Sequence, residues 1–497
     1  MSDDLSPLAP ALHWSRRHFL ACSALFSAAP AMLSASMPST QAAAPVTRIL
    51  SEWLAQSKPA DIPADARKEA VRSIVNWLGV TLGGSSQPAV AIALQTLAPF
   101  QPVSGAALFA RAERPDALRA ALINGISSHV LDFDDTDLRT IIHPAGPVAS
   151  ALFALCQIHP LTGAEFLHAF VLGVEIECRL GLAIYPSHYD MGWHITGTCG
   201  TFGAAAACAK ALALDATGIQ MALGIAATEA AGLKVTFGSM SKSLNIGRAA
   251  ENGMFAALLA ARGFTAAPDS LEGKGGYILA ASTMHQDEAL IQCLGQAYAI
   301  RRNTYKPFAC GIVLHPAIDA VLQLRKQFHI SPQSVESITV HANPQVLQLT
   351  GKAHPRDGLE SKFSVYHAVA AALVLGYAGT AEFSDAAVGN PAVASLRQRV
   401  KVVTDPAIRT DEATVAILSS DGRTFEKHID HAIGSLDRPL TDAELNEKYR
   451  RLAEGILPSA QSEKLLALAW NLEQSADVAA LPRLAAPPNS SAPEARS

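Results

Sequence analysis

Three short stretches place a polar or basic side chain just ahead of small residues that read as a helix start. The first is His129-Val130-Leu131-Asp132-Phe133-Asp134-Asp135-Thr136, followed by His143-Pro144-Ala145-Gly146-Pro147. The second is Trp193-His194-Ile195-Thr196-Gly197-Thr198, leading into an Ala-rich stretch. The third is Ser239-Met240-Ser241-Lys242-Ser243-Leu244-Asn245-Ile246-Gly247-Arg248. A helix N-terminus offers free backbone N–H groups and a partial positive charge, so the chemistry these stretches suit is the holding of carboxylates. Asp132 and Thr136, four apart, are expected to share a helix face. Pro147 suits the first turn of the following helix. Taken one at a time, the residues also have plainer readings. Asp134 and Asp135 are expected to cap and solvate a loop, Arg248 to serve a structural ion pair, and Lys306 in Lys306-Pro307-Phe308-Ala309-Cys310-Gly311 to face solvent.

Other motifs fail for want of partners. Ser239-Met240-Ser241-Lys242 fits the SxxK of penicillin-recognising serine enzymes, but no SDN or KTG follows. Asp134-Asp135 begins like a diphosphate-binding DDxxD, yet Leu138 stands where the third Asp belongs. Gly273-Lys274-Gly275-Gly276 lacks the Ser or Thr and the spacing of a phosphate-binding loop.

The elements that must position these residues are mostly helices. Apolar and small residues recur at helical spacing over 64–82, 115–130, 146–158, 164–183, 201–213, 217–231 and 246–262. Such a set can bury itself without a sheet. Beyond Pro268 the texture changes. Val335–Val340, Val400–Val403 and Ala413–Leu418 are short and β-branched, and Ser420-Asp421-Gly422-Arg423 predicts a hairpin turn between 413–418 and 424–429. Helices are expected at 315–328 and 363–376. From Thr441 a capping box, Thr441-Asp442-Ala443-Glu444, opens a further helical stretch. The Pro- and Ser-rich end from 485 reads as disordered.

At 497 residues the chain is too long for one ordinary core. Its net charge of −5 gives no reason to expect nucleic acid or anionic lipid as a partner. The seven cysteines form no CxxC pair and no zinc spacing, and read as small buried apolar residues. Ser15-Arg16-Arg17-His18-Phe19-Leu20, an apolar stretch to about Met37 and small residues at 40–44 read as a twin-arginine signal peptide, 1–44. The expectation is export as a folded protein by the twin-arginine machinery, cleavage between about 40 and 45, and a periplasmic location without stable membrane insertion.

Taken together and in order, HVLDFDDT, HPAGPV, GWHITGTCGTFGAAAA, SKSLNIGRAAENG, LEGKGGY, KPFACGIVLHPAIDA and SKFSVYHAVAAALV resemble the MmgE/PrpD family. That family comprises cofactor-independent dehydratases, decarboxylases and epimerases of small polycarboxylic acids. The match runs from about 129 to 376 and extends into the capped C-terminal helix. The resemblance implies a mainly α protein: a large helical domain built from both ends of the mature chain, 45–267 and 437–484, with a smaller α/β lid domain, 268–436, inserted between them. It implies a homodimer, a small polycarboxylate substrate and a site between helical domain and lid. Carried over residue by residue, that site falls on Asp132, His143, His194 and Lys242 as catalytic residues and on Thr136 and Lys306 as substrate-binding residues. The residue types agree. Removing a proton next to a carboxylate, or losing CO2, builds negative charge that fixed cations and a placed proton carrier can support. Lys242 and Lys306 can hold carboxylates, and His143 and His194 can pass protons. Asp132 can act as base or fix a His tautomer. No ligand spacing for a metal appears, and no cofactor is expected.

One stretch departs from the family pattern. After Lys306 and Phe308, where dehydratase and decarboxylase members often carry a polar group, this chain has Ala309-Cys310-Gly311-Ile312-Val313. The expected function is a lyase acting on a di- or tricarboxylic acid. The alternatives are an isomerase or epimerase using the same site, and a non-catalytic periplasmic organic-acid binder.

Overall fold

Small residues permit close helix packing, and the helices richest in them form the centre of the molecule. The computed structural model describes residues 44–487 apart from 101, 103 and 104. The signal peptide expected at 1–44 therefore lies, except for Ala44, outside the described residues, as does the chain from 488. The longer helices are α1 (Val46–Gln56), α2 (Ala64–Gly84), α3 (Pro88–Leu97), α4 (Ala117–His129), α5 (Ala145–Leu155), α6 (Gly163–Ile184), α7 (Ile195–Ala211), α8 (Ala216–Glu229) and α9 (Ser241–Ala260). They continue with α10 (His315–Phe328), α11 (Val365–Leu375), α12 (Asp442–Ala453) and α13 (Ser459–Trp470). The fold is mainly α, as the sequence pattern predicts.

The centre is α9, packed against α4 and α7, with α6 on the far side of α7. Where α4 and α9 cross, two glycines face each other. A Cβ on Gly125 would lie 2.7 Å from the Gly247 Cα, and one on Gly247 would lie 2.4 Å from the Leu122 carbonyl oxygen. Only glycine permits this approach, which seats α9 against its neighbours. From the other end of the chain, α12 packs on α2. Thr441 and Glu444 form its capping box.

The strands lie in two groups. β1 (Asp135–Asp137) and β2 (Asn303–Tyr305) form an antiparallel ribbon. A four-stranded sheet has the order β4 (Val400–Thr404), β3 (Val335–Ala342), β5 (Ala413–Ser419), β6 (Thr424–Ile429). β3 and β4 are parallel, and β5–β6 is the expected hairpin. Ile338, Val340, Val415 and Ile417 alternate inward and are fully buried, and α10 packs against β5 and β6.

Several expectations fail. The chain after His129 is not helical. α4 stops there, Asp132 takes a left-handed conformation with φ 50°, and Thr136 lies on a strand. Asp132 and Thr136 therefore share no helix face. Helix α7 starts at Ile195 rather than 201. Its early threonines are satisfied within the helix: the Thr198 hydroxyl donates to the Ile195 carbonyl and Thr201 to that of Gly197. At the far end Ala485 closes a short helix, Ala480–Ala485, and is buried. Of the cysteines, 156, 178, 199, 208 and 310 are free and buried, while Cys293 is exposed. No helix among the described residues is long and apolar enough to cross a membrane.

Candidate active site

The β1–β2 ribbon brings the first two parts of the site together. Its register pairs Asp135 with Tyr305, and the Lys306 N–H donates to the Asp134 carbonyl one step beyond. Lys306 therefore enters beside the Asp132–Asp134 loop and is buried, contrary to the expectation of a solvent-facing lysine. Its Nζ lies 2.5 Å from Asp132 Oδ1 and 3.6 Å from Asp134 Oδ1. Lys242, in the first turn of α9, approaches Asp132 Oδ2 at 3.0 Å. Its ammonium also sits 5.2 and 5.1 Å from the ring centres of Phe237 and Phe363, within cation–π range. Burial works against ionisation of Asp132, but Lys242 and Lys306 outweigh it and hold the carboxyl well below its usual range.

The histidines stand on either side of this ion cluster. His143 precedes α5, and its Nδ1 lies 2.6 Å from the Asp135 carbonyl oxygen and 3.2 Å from Thr136 Oγ1. A carbonyl can only accept, so Nδ1 carries the proton and Nε2 keeps a lone pair. His194 caps α7, and the Asn245 side-chain amide donates to its Nδ1 at 3.0 Å. That bond leaves the His194 proton on Nε2. Burial lowers both imidazoles, His143 to about 3, so both are neutral near pH 7.

One cavity is lined by Asp132, His143, His194, Lys242 and Lys306, together with Phe237, Phe363, Tyr189 and the Gly311–Val313 turn. Five of the six residues expected from sequence thus meet. The sixth, Thr136, stands behind His143 and contacts its ring. The cavity has a volume of about 30 Å³.

Several contributors escape a reading of the sequence. Asp134 and Asp135 are buried rather than solvated loop residues. Asp134 accepts from His129 Nδ1 at 2.5 Å, placing a third imidazole 5.0 Å from His143 and 5.8 Å from His194 between ring centres. Asp135 accepts from Asn303 and the Ala145 N–H, and burial with its neighbour Asp134 raises its carboxyl to about 7. Lys448, on α12, donates to the carbonyls of Phe133 and Lys306 and to Asn76, stitching the site to the C-terminal helix. Asn245 lies three residues after Lys242 on one helix, a spacing that could have revealed it. Arg248 does pair structurally, with Glu251 at 2.6 Å.

Asp132, Asp134 and His143 offer atoms within 4.8 Å of one another, a grouping that could hold a metal and that chain spacing does not reveal. Both carboxylates already face lysine ammonium groups, so an added cation would compete with Lys306 for the same oxygens.

Two family models and several known proteins match this chain. The N-terminal domain model of MmgE/PrpD matches residues 48–289 and the C-terminal domain model matches 308–474. The chain is 28% identical over 464 residues to a cis-aconitate decarboxylase-like protein of Aspergillus oryzae, covering 88% of this chain and 96% of that one. It is 30% identical over 384 residues to the cis-aconitate decarboxylase of Mus musculus, covering 73% and 78% respectively. It is 24% identical over 465 residues to that of Aspergillus terreus, covering 88% and 95%. With both domain models matched in order and the motif residues gathered around one cavity, the chain belongs to the MmgE/PrpD family.

Proposed function

We propose that this protein is a cofactor-independent lyase, a decarboxylase or dehydratase, acting on a small carboxylic acid. The observation that carries the reading is the pair of neutral histidines held in opposite tautomers beside two buried lysines. Lys242 and Lys306 stabilise the substrate's carboxylates and the charge that builds on the adjacent carbon. His143 Nε2, with a free lone pair, accepts the proton in a dehydration, and His194 Nε2–H delivers one to the departing hydroxide. In a decarboxylation the bonding electrons stay on carbon as CO2 leaves, and His194 protonates that carbon. Asp132 sets the positions of the two ammonium groups. The names of the relatives support a decarboxylase-type reaction.

Proton NMR of the purified protein with cis-aconitate, 2-methylcitrate and a panel of dicarboxylates in D2O tests this. Loss of CO2 with deuterium at one carbon marks a decarboxylase, and loss of water to give an alkene marks a dehydratase. Deuterium exchange without mass loss would replace the lyase with an isomerase or epimerase. Binding without any turnover would leave an organic-acid binder. We also propose that the protein is a homodimer. The stretch from Leu233 to Leu244 supports it, exposing Leu233, Val235, Met240 and Leu244 beside the site.

A further inference from the structure

His129 is the last residue of α4, and two of its groups hold the acidic turn that follows. Its carbonyl accepts from the Asp132 N–H at 2.9 Å, at the residue where the chain turns left-handed. Its ring Nδ1 lies 2.5 Å from Asp134 Oδ2. Burial opposes ionisation of Asp134, but the histidines and Lys306 facing it outweigh that and hold the carboxyl well below its usual range. An ionised carboxylate can only accept, so the His129 proton sits on Nδ1. Burial lowers the imidazole below its ordinary range, so the ring is neutral and Nε2 is bare.

This is the one hydrogen bond that the Asp134 carboxylate makes among the described residues. Its other oxygen, Oδ1, lies 3.6 Å from Lys306 Nζ and 3.6 Å from His143 Nδ1. Both separations are too long for hydrogen bonds, so neither sets the rotation of the carboxylate. His129 is the group that does. The ring is 1% exposed, and its Nε2 has no partner. Leucine would fill a comparable space without burying an unpaired nitrogen, so packing alone gives no reason for an imidazole here.

We propose that His129 is a positioning residue acting through Asp134: its Nδ1–H turns the carboxylate so that Oδ1 faces Lys306 and His143. A neutral donor leaves the Asp134 charge uncancelled. Lys306 then keeps two carboxylates, Asp132 and Asp134, to hold its ammonium at the cavity. His129 is not among the residues lining that cavity, so it acts without touching substrate. The role rests on the carboxylic-acid reading of the site.

Titration calorimetry with two saturated acids, succinate and tricarballylate, tests it. In His129→Asn the amide nitrogen takes the place of Nδ1, and in His129→Gln it takes the place of Nε2. The Asn variant should bind within about threefold of wild type, and the Gln variant roughly tenfold more weakly. His129→Leu, which has no donor, should match the Gln variant and replaces it in the comparison if that variant folds poorly. In an Asp134→Asn background, His129→Gln should cost no further affinity. Equal affinity of wild type, Gln and Leu variants overturns the role, as does an Asn variant as weak as the Gln one. An undiminished loss in the Asp134→Asn background shows that His129 does not act through Asp134, and overturns it too. Loss of helical circular dichroism in all three variants makes the ring a packing residue and overturns the role. If the wild-type protein binds neither acid, the carboxylic-acid reading falls together with this role. Binding of either acid with the wrong variant pattern overturns this role alone.

Discussion

Lys306 Nζ lies 2.5 Å from Asp132 Oδ1, although 174 residues separate them in the chain. The β1–β2 register delivers Lys306, and the left-handed turn at Asp132 presents the carboxylate. Lys306→Met strands part of a buried charge cluster and should lower stability by about 3–5 kcal/mol. It should also lower kcat by two or more orders of magnitude. Adding Asp132→Asn should recover much of the stability and none of the activity. Recovery of both would make the pair structural only.

Lys242→Ala and His194→Ala should each cut turnover at least about a hundredfold. Asn245→Asp separates tautomer from presence. A carboxylate at that position accepts from Nδ1–H and moves the His194 proton away from Nε2. We expect kcat to fall by roughly 10- to 100-fold with KM little changed. Equal rates in wild type and Asn245→Asp would show that the His194 tautomer is irrelevant.

The Gly311–Val313 turn offers no charged side chain to a third carboxylate. Dicarboxylates should therefore exceed citrate-like acids in kcat/KM. A Cβ at 311 would meet Thr350 Cγ2 at 3.0 Å, a contact that a small side-chain shift relieves. Gly311→His should move the ratio toward the tricarboxylate. Wild-type preference for cis-aconitate or 2-methylcitrate over every dicarboxylate would defeat the argument.

Activity should survive exhaustive chelation, because the carboxylates of the Asp132–Asp134–His143 group are engaged by lysines. Stoichiometric metal whose removal abolishes turnover would reverse this expectation.

Stability should fall on mild acidification. Burial lowers His143 and His315 to about 3 and His168, His188 and His367 to about 4, while in the unfolded chain they titrate near 6.5. Between those values the unfolded state binds more protons, so stability is lost as pH drops below about 6.5. Each such group contributes up to about 2 kcal/mol of this loss by pH 5. Melting temperatures at pH 7.5 and pH 5 measure it, and equal values would contradict the burial argument.

Much of this protein follows from sequence because its information is local. Helical periodicity located α10 at 315–328, and β-branched runs around a Ser-Asp-Gly-Arg turn located the β5–β6 hairpin. His143, His194 and Lys242 each sit within two residues of a helix start, as the small-residue runs require. The ordered motifs carried the family. What sequence could not determine depends on partners distant in the chain. Asp134 and Asp135 read as loop carboxylates because nothing nearby in sequence shows that β2, α5 and Lys448 will bury them. Lys306 read as exposed because its counter-charge, Asp132, arrives only through an antiparallel ribbon closed across the chain. The histidine tautomers, too, belong to the tertiary structure alone. They are set by a carbonyl on β1 and an amide on α9, and a hydrogen bond between separate elements leaves no trace in the residue spacing.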